Sequence, residues 1–536
     1  MARSLRVRQE CVEKVKLAVP RNGFPSQRAL AEDVGLALAT VSNFLTGKPI
    51  DYVNFEEICH KLALEWREIA DWDFEVPSQT GDQDKNTGGG TTNNHQDWGE
   101  AIDVSVFYGR TEELATLKQW IVSDHCWLIT LIGMGGIGKT ALSVKLAEQI
   151  QDEFEYLIWR SLHYAPPLLA ILTDLNEFLS NDHQTDISAT IDGQISRLLN
   201  ILKHKRCLLI LDDCEMVLRG GDVAGYYRQG YEGYGKLLKR VGEEQHQSCL
   251  LLLSREKPVE VATLAGETLP IRVLQVKGLK SLDAKQLLAT KGFTGTEHGL
   301  DELIQLYRGH PAALKVVATT IKDLFNGNVM QFLGQSSLVI GDIFANLLNQ
   351  HFERLSDLEK AIMFWLAIEC QPILLAQLKA DIGVGVSSSE LLAMLESLRR
   401  RCLIEKTTHK LIETIQQSGE SNAFFTLQPM VMKYVINIFI EEICQNIIAV
   451  IRTMSSEKLG LLKSHALVKQ DSENIQAMQI RLILTRVRDR LQLVVGDIKV
   501  LEVQLQQMLS HLRNYHSQAI GYAEHNLLLL LRETEQ

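Results

Sequence analysis

The chain has 536 residues, 46% of them hydrophobic and 23% charged, with a net charge of −11. This length predicts three or four domains, and the acidic balance excludes a chain-wide nucleic-acid coat, leaving only local basic contacts. Nine cysteines without a C-x-x-C pair exclude a zinc framework and a disulfide scaffold, and the absence of a leader-like apolar run or of ~18 consecutive apolar residues predicts a cytoplasmic chain with no membrane span.

The first predicted module covers residues 1–75. Gln27 to Gly35 followed by Thr40 to Leu45 has the layout of two short helices joined by a tight turn: Ala31 is small where the helices cross, Gly35 turns the chain, and Leu30, Val34, Val41 and Phe44 fill the wedge. The pattern resembles the helix-turn-helix of phage-repressor-type regulators, which would place Thr40, Ser42 and Asn43 at base edges. Eight Lys or Arg against four Asp or Glu give the first fifty residues a local +4, with Arg3, Arg6 and Arg8 as a phosphate-contacting arm. The recognition helix carries no Arg or Lys, so a protein-docking module on the same fold stays beside the DNA-binding reading. Residues 76–96, which include Thr87-Gly88-Gly89-Gly90, read as a flexible linker.

A P-loop nucleotide-binding domain is predicted over residues 97–278. Phe107-Tyr108-Gly109-Arg110 opens a helix with Leu114, Leu117 and Ile121 at helical spacing. Leu128 to Ile132 is a buried-type strand that runs into Gly133-Met134-Gly135-Gly136-Ile137-Gly138-Lys139-Thr140, a complete phosphate-binding loop. Small residues let consecutive N–H groups curl round the inner phosphates, Lys139 reaches the β- and γ-phosphates, and the Thr140 hydroxyl holds Mg²⁺. The helix from Ala141 to Ile150 adds its N-terminal dipole. Tyr156 to Trp159, Cys207 to Asp213 and Cys249 to Leu253 alternate with helices as in a doubly wound parallel sheet. Asp212 is expected to order Mg²⁺ and Asp213 to orient an attacking water; Ser254-Arg255-Glu256 reaches the same sheet edge, where an Arg at a strand end reads first as a surface residue and second as one that feels the γ-phosphate.

These motifs, with Tyr307-Arg308-Gly309-His310-Pro311-Ala312-Ala313-Leu314, resemble in order and spacing the NB-ARC domain of the STAND-type ATPases over about residues 100–435. The resemblance implies that Gly133, Gly135, Gly136, Gly138, Lys139, Thr140 and Ala141 bind ATP or ADP with Mg²⁺. It also implies that Arg110 lies near the nucleotide, Pro311 packs on adenine and Arg255 senses the nucleotide. A helical lid over 279–345 and a winged-helix domain over 346–435 follow from it, and the sequence agrees with helices near 358–368 and 388–400 and wings at Leu403-Ile404 and Phe424 to Leu427. Leu427-Gln428-Pro429 stands where the family has Met-His-Asp, so the His that touches the ADP phosphate is missing.

Residues 436–536 read as amphipathic helices, with Ile483, Val487 and Leu491 on one stripe and the apolar run Leu527 to Leu531 as an exposed, association-prone edge. The overall likeness is to cyanobacterial NB-ARC proteins, which usually continue into a tryptophan-aspartate propeller. The absence of such repeats up to Gln536 reads as a short member or one whose sensor is a partner protein. The expected fold class is multidomain α/β plus α, and the expected function is an ATP/ADP signalling switch. It rests with ADP, opens and self-associates with ATP, resets by weak ATPase activity, and acts through residues 1–75 on a protein effector or DNA. No Asn-Lys-x-Asp guanine-reading motif and no acceptor-substrate constellation favour a GTPase or a small-molecule kinase.

Overall fold

The computed structural model describes residues 4–8, 11–22, 24, 26–34, 38–48, 50–62, 64, 69–70, 95–180, 190–334, 342–383, 385–408, 423–469, 472–513 and 520–534. They fall into two compact units, residues 1–93 with 98–101 and residues 94–97 with 102–536.

The N-terminal unit packs the helices Val12–Arg21, Gln27–Val34, Leu38–Leu45 and Tyr52–Lys61. A two-residue pairing of β1 (Ser4–Leu5) with β2 (Ile50–Asp51) ties its start to the segment between the third and fourth of these helices. The four wedge residues Leu30, Val34, Val41 and Phe44 are all buried, and the Phe44 ring meets Phe55 edge-on with centroids 4.9 Å apart. Gly35, expected at the turn, and Gly88 to Gly90 of the linker lie outside the described residues.

The large unit is built on a fully parallel six-stranded sheet of order β3-β5-β6-β7-β4-β8. Its strands are β3 (His95–Asp97), β4 (Leu128–Ile132), β5 (Tyr156–Ser161), β6 (Cys207–Asp212), β7 (Cys249–Ser254) and β8 (Ile271–Gln275). The central strands read as near-continuous apolar runs, mostly Leu and Ile, because helices cover both faces, and every residue of β4, β6 and β7 is buried. One boundary needs correction. His95 and Gln96, assigned to the linker, belong to edge strand β3, where the His95 ring stacks on Tyr156 and Asp97 pairs with Arg160 at 2.7 Å. A period-two pattern is undetectable over three residues, which is why the strand escapes sequence reading.

The helices Ser281–Ala289, Leu300–Leu306, Pro311–Phe325 and Val329–Gly334 follow the sheet. The stretch expected to hold a winged helix contains the helices Asp342–Phe352, Asp357–Glu369, Leu375–Ile382 and Ser388–Arg400. It also contains an antiparallel sheet of order β10-β11-β9, from β9 (Ile373–Leu374), β10 (Ile404–Thr408) and β11 (Ala423–Leu427). Ser356 and Glu359 form a capping box that fixes the start of Asp357–Glu369.

The helix Pro429–Thr453 corrects the reading that no stretch is apolar enough to span a membrane. It has 25 residues and a mean hydropathy of 1.6 over its most apolar window. Its apolar side is taken up by protein: Val435, Phe439, Ile443 and Ile447 are fully buried, and Tyr434 Oη donates to Asn349 Oδ1 at 2.9 Å. The predicted stripe Ile483, Val487 and Leu491 is buried in the same core. Leu527, Leu530 and Leu531 are buried there as well, so the expected exposed edge is core instead.

This core holds a pH-sensitive residue. His465 is enclosed by Phe364, Trp365 and Phe439, with Nε2 3.3 Å from the Ala361 carbonyl. Burial pushes its pKa down to about 4. The unfolded chain therefore takes up a proton below about pH 6.5 that the folded chain refuses, and stability falls as pH drops from there towards 4. Urea melts at pH 7 and pH 5 should differ by about 2 kcal/mol through this group. That part of the difference should vanish in His465→Gln; an unchanged pH dependence would refute the assignment.

Candidate nucleotide-binding site

Strand β4 ends in the Gly-rich loop, which passes directly into the helix Lys139–Ile150. Gly136 and Gly138 have φ of +75° and +100°, values that exclude ordinary side chains. A Cβ on Gly136 would also meet the Ala312 Cβ at 2.7 Å. Lys139 is buried, with Nζ donating to the Gly133 carbonyl at 2.9 Å and to the Met134 carbonyl at 3.2 Å. Burial lowers its pKa, with the Glu215 and Asp212 carboxylates acting in the opposite sense. Lys139, Thr140 and Ala141 form the opening turn, whose N–H groups have no partner within the helix.

Strand β6 brings Asp212 beside this turn, and Thr140 Oγ1 donates to Asp212 Oδ2 at 2.8 Å. Burial, and then the neighbouring Asp213, raises the Asp212 pKa to about 6. Asp213 turns away in the left-handed region, φ 55°, and lies 3.4 Å from His163 Nδ1, a hydrogen bond that lowers its pKa. Two adjacent carboxylates are thus driven in opposite directions by their surroundings: Asp212 is a buried group whose ionised form a bound cation would stabilise, while Asp213 is held ionised by its own partner. A hydroxyl and a carboxylate are hard oxygen donors, and a pair of them suits Mg²⁺, which takes its remaining ligands from water and phosphate. Among the described residues no cluster of three or more His, Cys, Asp or Glu forms an all-protein metal cage.

Arg255, at the end of β7, is held by Glu215: Nε lies 2.8 Å from Oε1, and the backbone N–H donates to Oε2. Its Nη1 donates to Gln350 Oε1 at 2.9 Å. Arg110 is buried in the left-handed region, φ 64°, with Nη2 donating to the Ile137 carbonyl at 2.8 Å and Nη1 2.9 Å from Glu113. Pro311 occupies the first turn of its helix, capped by His310, whose Nδ1 accepts from the Ala313 N–H at 3.3 Å. The other ring nitrogen of His310, Nε2, is buried beside Gly135 without a hydrogen-bond partner among the described residues, and burial pushes the ring's pKa down to about 4. A cavity of about 750 Å³ reaches the loop at Gly133 and Met134, with His310 and Gln428 in its wall. Glycines that admit no side chain, an unpartnered polar nitrogen at the loop and the Thr140–Asp212 pair fit a Mg²⁺-nucleotide.

All the predicted phosphate-site residues therefore meet at one end of the sheet. Sequence reasoning missed His310, Gln350 and His351. His351 Nε2 accepts a hydrogen bond from the Gly135 N–H at 3.0 Å across 216 residues of sequence, and no local pattern marks it. Of the N-terminal candidates, Arg3 lies outside the described residues. Arg8 Nε donates to the Ala70 carbonyl at 2.9 Å, Arg6 is half-buried, and Thr40, Ser42 and Asn43 are half-buried on the Leu38–Leu45 helix.

Comparison with known proteins agrees with this geometry. The NB-ARC domain family matches residues 110–217. An uncharacterized WD repeat-containing protein of Nostoc sp. is 40% identical over 541 residues, covering 94% of this chain and 42% of that protein, so the chain spans less than half the length of this relative. A probable disease resistance protein of Arabidopsis thaliana is 32% identical over 96 residues, 17% of this chain and 11% of its own. A Pyrococcus horikoshii signal transduction ATPase with numerous domains, carrying a tetratricopeptide repeat sensor, covers 81% of this chain and 59% of its own at 18% identity, with a TM-score of 0.32. The phosphate loop and the carboxylate pair both lie inside the matched residues, so the chain carries an NB-ARC domain match over residues 110–217.

Proposed function

We propose that this chain is an adenine-nucleotide switch: ADP stabilises a closed arrangement, ATP favours an open one that self-associates, and slow hydrolysis resets it. The observation that carries this reading is the roof over the phosphate loop. Ala312, from the helices after the sheet, and Leu347 and His351, from the Asp342–Phe352 helix, all lie against Gly135 or Gly136. A ligand in the loop and the placement of those segments are thereby one equilibrium, and a nucleotide shifts it by its difference in affinity for the two arrangements.

In this reading Lys139 and the N–H groups of Gly136, Gly138, Lys139, Thr140 and Ala141 hold the phosphates, and Thr140 and Asp212 hold Mg²⁺. Bound Mg²⁺ supplies neutralisation of phosphate charge. Asp213, kept ionised beside His163, orients a water, and Arg255 reports on the outer phosphate. Arg110 and Pro311 frame the base. Residues 346–435 act as a winged-helix domain and the N-terminal unit as the output module, while a sensor acts through the C-terminal helices.

The test is to denature the purified protein, identify the released nucleotide by chromatography, and size the native protein before and after exchange into ATP with Mg²⁺. Near-stoichiometric ADP and an increase in mass with ATP are expected. An empty site together with unchanged mass would sink the switch.

A further inference from the structure

The Met-His-Asp position is taken by Leu427-Gln428-Pro429, yet an imidazole still reaches the phosphate loop, from another element. The C-terminal turn of the Asp342–Phe352 helix places two consecutive side chains at the loop. His351 Nε2 accepts from the Gly135 N–H at 3.0 Å, and Gln350 Oε1 accepts from Arg255 Nη1 at 2.9 Å. These contacts converge on one point: a Cβ added to Gly135 would stand 3.2 Å from Arg255 Cζ and 3.3 Å from His351 Nε2. His351 is buried, and burial, followed by the charges of Arg255 and Lys139, holds its pKa well below the usual imidazole value. The ring is neutral and its Nε2 lone pair is free to accept.

Gly135 marks the outer end of the phosphate cradle. The inner phosphates are met by the opening turn of the helix at Lys139 to Ala141, while a P-loop lysine serves the outer ones. Lys139 reaches back to the Gly133 and Met134 carbonyls, the shoulder on which Gly135 sits. Beside Lys139, the Gly135 N–H and the Arg255 guanidinium are donors available to a third phosphate at this end of the loop, and both are engaged by the Asp342–Phe352 helix.

Resting on the nucleotide-switch reading, we infer that Gln350 and His351 are the residues by which this chain tells a nucleoside diphosphate from a triphosphate. The closed form keeps both donors on its own side chains and is compatible with a diphosphate. A third phosphate competes for the same two donors, so His351 and Gln350 must leave for it to bind. The helix that carries them is displaced at its C-terminal turn, which leads through Arg354 into the following domain. The role falls to a residue pair 77 positions before Gln428, in the winged-helix region but on a different element from the usual motif.

The experiment uses the full chain and compares the affinities of ADP and of a non-hydrolysable ATP analogue, each with Mg²⁺, by displacement of a fluorescent ADP. The wild type is expected to prefer ADP by about tenfold or more, the worth of about one hydrogen bond to a charged group. His351→Leu fills the space without an acceptor and should bring the ratio close to one, mainly by tightening the triphosphate analogue. His351→Gln, whose carbonyl can accept the same N–H, should keep most of the preference. Hydrogen exchange of the peptide spanning 128–140, without nucleotide, should rise in His351→Leu and stay near wild type in His351→Gln. A structural role alone would weaken both nucleotides together and leave the ratio unchanged, which would overturn the inference. A wild type that binds neither nucleotide would refute the underlying switch reading, a result distinct from an unchanged ratio.

Discussion

Lys139→Ala will lose nucleotide binding by a factor of about 100 or more while leaving the nucleotide-free protein at least as stable as the wild type. The ammonium is buried, and its hydrogen-bond partners are two carbonyls of its own loop, Gly133 and Met134, with burial as the dominant influence on its pKa. A charge kept in such a place costs desolvation energy that neutral acceptors only partly offset. Removing it relieves that cost in the free protein. With phosphate present the balance inverts, because charge-assisted hydrogen bonds at about 1.5–3 kcal/mol each are then lost. Thermal melting without nucleotide and titration with ADP separate the two effects. A variant that melted much lower and bound ADP normally would make Lys139 a structural residue.

Arg401→Ala is expected to cost about 3–5 kcal/mol of stability. Arg401 is 1% exposed and joins two buried carboxylates: Nη1 lies 2.5 Å from Glu256 and Nε 3.3 Å from Glu359, while Nη2 donates to the Asp222 carbonyl at 2.6 Å. Arg354 shares Glu256 at 2.5 Å, and Ser397 donates to Glu359 at 2.6 Å and accepts from the Ala224 N–H. Glu256 follows strand β7, whereas Arg354, Glu359, Ser397 and Arg401 belong to the segment after residue 346, so the network is a seam between the sheet and that segment. Glu256 Oε2 has no hydrogen-bond partner among the described residues, which leaves little to compensate a missing guanidinium. The alanine variant strands charge on both sides of the seam. Arg401→Met combined with Glu359→Gln removes the guanidinium together with the carboxylate it pairs, leaves Glu256 with Arg354, and should recover most of the loss, because a buried pair is costly to break but cheap to replace whole. Chemical denaturation of the three proteins checks this; an alanine variant within 1 kcal/mol of wild type would remove the seam from the stability argument.

What could be read from the sequence follows how locally each feature is specified. The strand Leu128 to Ile132, the glycines of the loop and the Asp212-Asp213 pair announce themselves because phosphate binding needs a fixed backbone path over a dozen contiguous residues. The wedge of Leu30, Val34, Val41 and Phe44 was legible from helical period. His351 and Arg401 were not, since their partners lie 216 and 145 residues away and single histidines and arginines carry no period. The run Leu527 to Leu531 misled because hydrophobicity gives a demand for burial without saying which surface meets it. Strand β3 was too short to signal, and the helix Pro429–Thr453 passed for an ordinary helix because its apolar content becomes conspicuous only as an average over its length.

That helix has a mechanical consequence. It starts immediately after Gln428 in the wall of the cavity beside the loop, is tied at Tyr434 to Asn349 two positions from His351, and ends 25 residues later among the C-terminal helices. At 1.5 Å per residue it is a rod of about 37 Å, so a tilt of roughly 10° at its first turn sweeps its last turn through about 6 Å. A small tilt at its first turn would therefore be magnified at its last, and a force applied at the last turn would act on the first with the advantage of a long arm over a short one.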